Sequence, residues 1–373
     1  MNDRSSSAVR RLTLTDFRNY PSLRLETEAQ AIVLTGPNGA GKTNLLEALS
    51  LLAPGRGLRN ATYDEVARQG GAGGWAVAAE VGDVALGTAW EGASDQGRLV
   101  MIDGIAHKSS GALGRHVRCL WLVPAMDRLF SGSRGERLRF FDRLAGVVDP
   151  DHGTRINAFD KLVRERNILL EDGRSDPAWL SSVEAQMAET GAAIAAARID
   201  ALSRLQSHAR ANIQDDIFPW AELAIGGEIE TLLTSMPAVQ AEDEYRRILR
   251  DSRGLDRAQG RTLNGPHRSD FLVTHGPKSA PAAQCSTGEQ KALLIGLILA
   301  QARAVGEAHG GPLLLLDEVT AHLDRRRREG LFQTIAVLGC QAWMTGTDEA
   351  LFAGVGNGAD FYHVDTGKVH KTT

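Results

Sequence analysis

Gly36-Pro37-Asn38-Gly39-Ala40-Gly41-Lys42-Thr43 is the stretch that settles the fold, because it fits the phosphate-loop pattern G-x-x-x-x-G-K-[ST] in full. Just before it, Ala31 to Thr35 is apolar enough for a buried strand, and Asn44 to Leu52 just after it reads as a helix. Strand, glycine loop and helix form the context in which such a loop cradles phosphate. The glycines let successive amides turn inward around phosphate oxygens, and the helix start adds its free N–H groups. Lys42 is expected to reach the outer phosphates and Thr43 to ligate Mg2+. The expected nucleotide-binding set is Gly36, Asn38, Gly39, Gly41, Lys42, Thr43 and Asn44. A chance match in a chain with 40 glycines among 373 residues is the competing reading, and the apolar strand in front weighs against it.

Leu313-Leu314-Leu315-Leu316-Asp317-Glu318 supplies the natural second half. Four aliphatic residues make a buried strand whose end delivers two carboxylates: Asp317 for Mg2+, beside Thr43, and Glu318 to polarise an attacking water. Taken alone this is an ordinary core strand ending at solvent; beside a phosphate loop it completes a catalytic set of Lys42, Asp317 and Glu318. A third piece, Cys285-Ser286-Thr287-Gly288-Glu289-Gln290-Lys291, opens the helix before that strand. Ser286 and Gly288 at a helix N-terminus form a second anion-binding end. One chain has no use for two cradles, but two chains facing head to tail have: each clamps the nucleotide on the other's loop. The bland reading is an N-capped helix.

Outward from these motifs, Leu12 and Leu14 alternate with threonines in a short strand, and Phe17 to Pro21 reads as its end and a turn. Short Val/Ala/Trp segments broken by glycines between Gly70 and Ile102 suggest antiparallel strands, and a further strand ends at Pro124. Helices are expected over Glu136 to Ala145 and Thr154 to Leu170, with breakers at Gly173 and Pro177. A long Ala-rich helix then carries Val183, Met187, Ile194, Ile199, Leu202 and Leu205 on one face, running towards Ile213. That stripe is core rather than a cofactor site. Arg246 to Arg257 reads as a charged helix or helix end, Phe271 to Thr274 as a strand and Ala292 to Val305 as a helix.

At roughly 150 residues per domain the length suggests two or three domains. The division expected is 1–125 and 216–373 as the two parts of an α/β ATPase domain with mixed sheets, and 126–215 as a mainly helical insert. Hydrophobic residues at 43% and charged residues at 24% exclude global disorder. The net charge is −4, so any nucleic-acid contact must use a local patch. Arg outnumbers Lys 35 to 7, which fits phosphate recognition but equally fits G+C-rich coding. Cys119, Cys285 and Cys340 have no metal-ligand spacing, and the longest clearly apolar run, Ala292 to Ala300, is nine residues, about half a membrane span. The expectation is a soluble cytoplasmic protein.

The three motifs together resemble ABC-type ATPase heads, and the chain as a whole resembles the RecF family of bacterial DNA replication and repair proteins. Phe17-Arg18-Asn19-Tyr20 is similar to that family's N-terminal signature, and Thr43 to Ala48 to its continuation of the phosphate loop. Gly55 to Arg59 resembles its short basic loop, and Val123-Pro124 with Gly135 to Asp142 its entry into the second domain. Gly265-Pro266-His267-Arg268-Ser269-Asp270-Phe271 is the most distinctive block; Ser286 to Ala292 and Leu313 to Asp324 complete the set. The resemblance implies an ATP-dependent homodimer, with Mg2+, that binds double-stranded or gapped DNA, works with RecR and RecO, and helps load a RecA-like recombinase. It also implies slow, DNA-stimulated ATP turnover that resets the complex.

Departures from the general ABC pattern are informative. Cys285, Thr287 and Glu289 stand where leucine, glycine and glutamine are usual, while Ser286 and Gly288 remain. Thr347 occupies the switch position where many ABC ATPases carry histidine, so slow hydrolysis is expected. Asp324 stands at the dimer-crossing loop, completing the expected nucleotide set. Arg325 to Arg328 either touches DNA phosphates or is the solvated face of a helix. Candidate DNA patches are Arg56, Arg59 and Arg68, and Arg134, Arg137 and Arg139, with internal pairing of Arg137 or Arg139 to Asp142 or Glu136 as the alternative. His267 and Arg268 approach either the nucleotide or a structural carboxylate. Two other machines use these motifs, a transporter's ATPase subunit and an SMC- or Rad50-like tether. Only 242 residues separate Thr43 from Ser286, too few for very long coiled-coil arms.

Overall fold

The computed structural model describes residues 7–92, 97–172, 176–211, 217–321 and 323–372. Contacts divide the chain into two compact units: 1–128 with 211–220 and 286–373, and 129–210 with 221–285.

The first unit is built on two six-stranded sheets. One is mainly parallel, in the order Lys368–Thr372, Ala359–Asp365, Ala31–Thr35, Ala342–Thr345, Leu313–Leu316, Cys119–Leu122, with only the first strand antiparallel. Its inner strands read as unbroken apolar runs because both faces are covered: Leu313 to Leu316 and Ala342 to Thr345 are buried at every position. The other sheet is antiparallel, in the order Tyr20–Glu26, Val9–Phe17, Trp75–Val81, Val84–Trp90, Leu99–Ile102, Ile105–His107. Trp75–Val81 alternates buried with more exposed residues, as a sheet covered on one face requires. Gln341 stitches the two sheets together. Its buried amide accepts from the Val9 N–H at 2.9 Å and donates to the Val9 carbonyl at 3.0 Å and the Ala29 carbonyl at 3.1 Å.

Helix Thr287–His309 has the length and composition of a membrane span, but 67% of its most apolar stretch is buried inside the protein. It is longer than the nine-residue run suggested, and it is a core helix.

In the second unit, helices Arg134–Val148, His152–Asp172 and Pro177–Ala211 precede three shorter ones, Glu228–Ser235, Ala238–Asp251 and Arg253–Gln259. Pro177 opens its helix instead of breaking one, since a first-turn proline loses no intrahelical bond. Gly173 and Ile213 lie outside the described residues. Ile199 and Leu202 are only partly buried, and Arg198 and Ala201 take the core-facing positions beside them. The expected boundary at 216 also shifts. Strand Ala221–Gly226 pairs with Asp270–His275, which holds 221–285 in the second unit.

The core of this unit contains charge. Arg166 is 0% exposed and donates to Glu184 at 3.1 Å, Asp256 at 2.6 Å, Thr262 at 2.9 Å and the Leu249 carbonyl at 2.6 Å. Arg198 donates to both oxygens of Asp142 at 2.7 and 2.9 Å, to Glu230 at 3.2 Å and to the Pro266 carbonyl at 2.6 Å. A core tolerates such groups because their donors meet carboxylate, hydroxyl and carbonyl acceptors.

The Gly265 to Phe271 block organises this same core. Ser269 donates to Glu230, Asp270 receives Arg137, and Phe271 stacks on Phe141 with centroids 4.7 Å apart. Among the described residues His267 has no carboxylate partner, and the charges it feels are those of Arg268, Arg134 and Arg198. Its Nε2 is 3.2 Å from the Thr262 carbonyl, its ring tilts against Phe159, and burial lowers its pKa to about 4.

Candidate functional site

Strands Ala31–Thr35, Ala342–Thr345 and Leu313–Leu316 are parallel neighbours, so their C-terminal ends lie side by side. The first runs into the glycine loop, the second into Gly346 and the third into Asp317-Glu318. Carboxyl ends of parallel strands are where open α/β sheets bind ligands.

The loop's glycines have steric reasons. Gly36 sits at φ +135°, and a Cβ there would lie 2.1 Å from the Val364 carbonyl oxygen. At Gly41, with φ +117°, a Cβ would fall 2.5 Å from Asn19 Nδ2 and 2.7 Å from the Tyr20 hydroxyl. Helix Lys42–Ser50 has no side-chain cap, so its first N–H groups are open to an anion. Asn38 and Gly39 are exposed at the crest. Lys42, 5% exposed, curls back to donate to the Gly36 carbonyl at 2.7 Å and the Pro37 carbonyl at 2.9 Å. Burial lowers its pKa, and the nearby Glu318 and Asp317 carboxylates oppose that shift.

Beneath the loop, the Phe17 to Tyr20 segment acts as a brace. Asn19 Nδ2 donates to the Ala40 carbonyl at 2.9 Å and its Oδ1 accepts from Asn44 at 2.8 Å. The Tyr20 hydroxyl donates to the Gly41 carbonyl at 3.1 Å, and burial raises its pKa so that it stays a donor. One turn along the helix, buried Glu47 receives Arg18 at 2.6 Å and Arg59 at 2.6 Å, and Arg59 also reaches Asn44 at 2.7 Å.

Thr43 Oγ1 lies 2.9 and 3.0 Å from the two carboxylate oxygens of Asp317. A hydroxyl beside a carboxylate is a donor set that suits Mg2+, which binds through one or two carboxylates and takes its remaining ligands from phosphate and water. Among the described residues no group of three or more His, Cys, Asp or Glu side chains could hold a metal unaided. Glu318 follows at φ 48°, a left-handed conformation that costs a non-glycine residue on the order of 1–3 kcal/mol and persists where surroundings enforce it. Its N–H donates to Thr345 Oγ1 at 2.8 Å, and that hydroxyl donates to Asp317 Oδ1 at 2.7 Å.

The structure thus brings together Lys42, Thr43, Asp317 and Glu318, with Asn44 below them. Ser286 and Asp324 are not part of this cluster. Ser286 caps helix Thr287–His309 in a capping box with Glu289, its Oγ 2.9 Å from Oε2. Asp324 caps helix Arg325–Leu338 by accepting the Arg327 N–H at 2.8 Å. Neither makes a hydrogen bond to the phosphate loop among the described residues. Gly288 has open space where a Cβ would stand, so packing within the chain does not explain it.

Several arginines expected for DNA are already engaged: Arg59 with Glu47, Arg68 with Asp16 at 2.6 Å, and Arg137 with Asp270 at 2.7 Å. Asp142, the expected partner for Arg137 or Arg139, instead holds Arg198 and His152. Arg56, Arg134 and Arg139 are exposed. In the Arg325 to Arg328 run, Arg325 pairs with Glu329 along its helix and Arg328 donates to the Leu323 carbonyl. Sequence reading did not single out Thr345, which bonds both Asp317 and the Glu318 N–H; the available signal was its place at the end of the strand beside the acidic one.

Comparison with known proteins places this geometry. A family model described as an AAA domain, putative AbiEii toxin of a type IV toxin–antitoxin system, matches residues 31–80. The chain is 50% identical over 370 residues to the DNA replication and repair protein RecF of Mesorhizobium japonicum, covering 98% of both chains. Among solved structures it is similar to the recombination mediator protein RecF-ATPrS in the RecFOR pathway, with TM-score 0.86 and 22% identity over 99% of this chain and 100% of that one. A more distant fold likeness is the Smc head domain of Pyrococcus furiosus, with TM-score 0.54 and 13% identity over 98% and 96% of the two chains.

Proposed function

Because the chain belongs to the RecF family of DNA replication and repair proteins, we propose that it is a cytoplasmic, ATP-dependent DNA-binding protein of recombinational repair, active as a homodimer closed by nucleotide. The observation that carries this reading is a split site. Thr43 of a complete phosphate loop meets Asp317 of the acid pair, while among the described residues the Ser286 and Gly288 helix start makes its side-chain contact within its own capping box and not to that loop.

On this reading Lys42 leaves the Gly36 and Pro37 carbonyls for the outer phosphates of ATP. Thr43 and Asp317 would hold Mg2+, which when bound would supply positive charge to the phosphates. Glu318 takes the proton of the attacking water. Ser286 and Gly288 of a second copy cover the phosphates, and Asp324 lies at the joint between copies. ATP then links two surfaces that are poorly complementary without it, and mass action makes closure depend on nucleotide. The closed dimer doubles each exposed basic patch, giving salt-sensitive contact with the backbone of double-stranded or gapped DNA. RecR, RecO and a RecA-like recombinase are the partners, and weak, DNA-stimulated hydrolysis reopens the dimer. A tether of the Smc type shares the fold, but the longest described helix, Pro177–Ala211, has 35 residues, about 50 Å.

Sedimentation of the purified chain with and without ATP-Mg2+, on gapped duplex at two salt concentrations, tests the proposal. ATP is expected to convert monomer to dimer, and DNA to join it in a complex weakened by salt. A monomer indifferent to ATP contradicts the composite site; an ATP dimer that ignores every DNA form contradicts the DNA-binding role.

A further inference from the structure

We propose that Thr345 is a positioning residue that sets both acids of the site at once, a role distinct from that of the exposed switch-position Thr347. The inference rests on the ATPase reading above. Thr345 ends strand Ala342–Thr345 and is 0% exposed. A hydroxyl has one proton to give, and here that proton goes to Asp317 Oδ1 at 2.7 Å. Its lone pair receives the Glu318 N–H at 2.8 Å. One oxygen atom therefore fixes the rotation of the Asp317 carboxylate and the peptide plane that leads into Glu318, the residue held at φ 48°.

The atom is itself well anchored. The Gly346 N–H, next along the chain, donates to the Leu34 carbonyl at 3.1 Å, tying this strand end to the one that enters the phosphate loop. On the other side, the Asp317 N–H donates to the Leu122 carbonyl at 2.8 Å. Asp317 is thus gripped through its backbone by one neighbouring strand and through its side chain by the other. Thr43 is its remaining side-chain contact, and Thr43 is also the hydroxyl expected to turn towards the cation. Once it turns, the Thr345 bond is the one that keeps the carboxylate from rotating. The second bond to that oxygen, from the Glu318 N–H, holds the peptide that leads into the left-handed residue.

T345V keeps the volume and removes the hydroxyl; T345S keeps the hydroxyl and removes a methyl. For T345V, the ATP KM is expected to stay within about threefold of wild type while kcat falls at least about tenfold, the signature of lost transition-state placement with binding retained. Its ATP-induced dimer is expected to form and to dissociate more slowly than the wild-type dimer, because hydrolysis no longer releases it. T345S should restore kcat to within about threefold. Should T345V fail to fold, T345S and T345A differ only by the hydroxyl and must show the same split. Turnover by T345V or T345A within threefold of wild type overturns the proposal, as does a T345S variant as slow as T345V, which would assign the residue to packing. Wild-type protein with neither ATP turnover nor an ATP-induced dimer would overturn the ATPase reading itself, an outcome separable from the first two.

Discussion

Glu318→Gln is expected to lower ATP turnover by about 10²–10⁴-fold, the usual contribution of a positioned general base, while leaving nucleotide binding intact. The amide keeps the size and the hydrogen-bonding reach of the carboxylate but cannot accept the proton of the attacking water. Nothing in its anchoring changes, because the Glu318 N–H to Thr345 bond belongs to the backbone. Lys42 loses one of the two carboxylates that raise its pKa and keeps Asp317. The variant should therefore bind ATP-Mg2+, close, and remain closed. The check is single-turnover hydrolysis with sedimentation on the same sample. Wild-type turnover in E318Q would remove Glu318 from the reaction; loss of nucleotide binding would give it a structural role instead.

The largest stability effect is expected at Arg166→Met. Removing this guanidinium leaves Asp256, 0% exposed, and Glu184, 1% exposed, with an uncompensated buried charge between them. Breaking a buried ion pair from one side costs about 3–5 kcal/mol, because the remaining charge has lost its partner and cannot regain water. Glu184 keeps Arg253 at 2.5 Å, so most of the cost falls on Asp256. Urea unfolding should show the second unit losing stability by that amount. The double variant R166M/D256L, which removes the stranded carboxylate and leaves Glu184 paired with Arg253, should recover part of it. An R166M midpoint equal to wild type would show that water or a rearranged side chain reaches Asp256 in solution.

How much of this was legible beforehand follows from the kind of signal each feature leaves. The phosphate loop and the acidic strand are local motifs with fixed internal spacing; that Thr43 and Asp317, both expected to hold Mg2+, hydrogen-bond to each other comes from strand pairing across the sheet. The buried strands Ala31–Thr35 and Leu313–Leu316 were equally plain, since strands covered on both faces are written as unbroken apolar runs. Arg166 and Arg198 left no such mark. A charged residue inside a helix looks solvated until its partners converge, and those of Arg166 come from positions 184, 256 and 262. The second unit's return through Ala221–Gly226 was hidden for a similar reason: a strand recruited by Asp270–His275 is specified by pairing, not by its own periodicity. For Arg59 and Arg68 the sequence displayed charge but not the carboxylate across from it, and for Arg137 internal pairing was foreseen but not with Asp270.

Mixing two inactive variants tests the composite site most directly. K42A disables the phosphate loop and leaves Ser286 and Gly288 in place; S286R blocks the covering helix start and leaves the loop intact. Neither alone should hydrolyse ATP. Mixed in equal amounts, half of the dimers are heterodimers, each with one site that joins an intact loop to an intact cover, so turnover should return to roughly a quarter of wild type. A mixture as inactive as its components would contradict a site shared between two copies, and full activity in S286R alone would place the whole reaction within one chain.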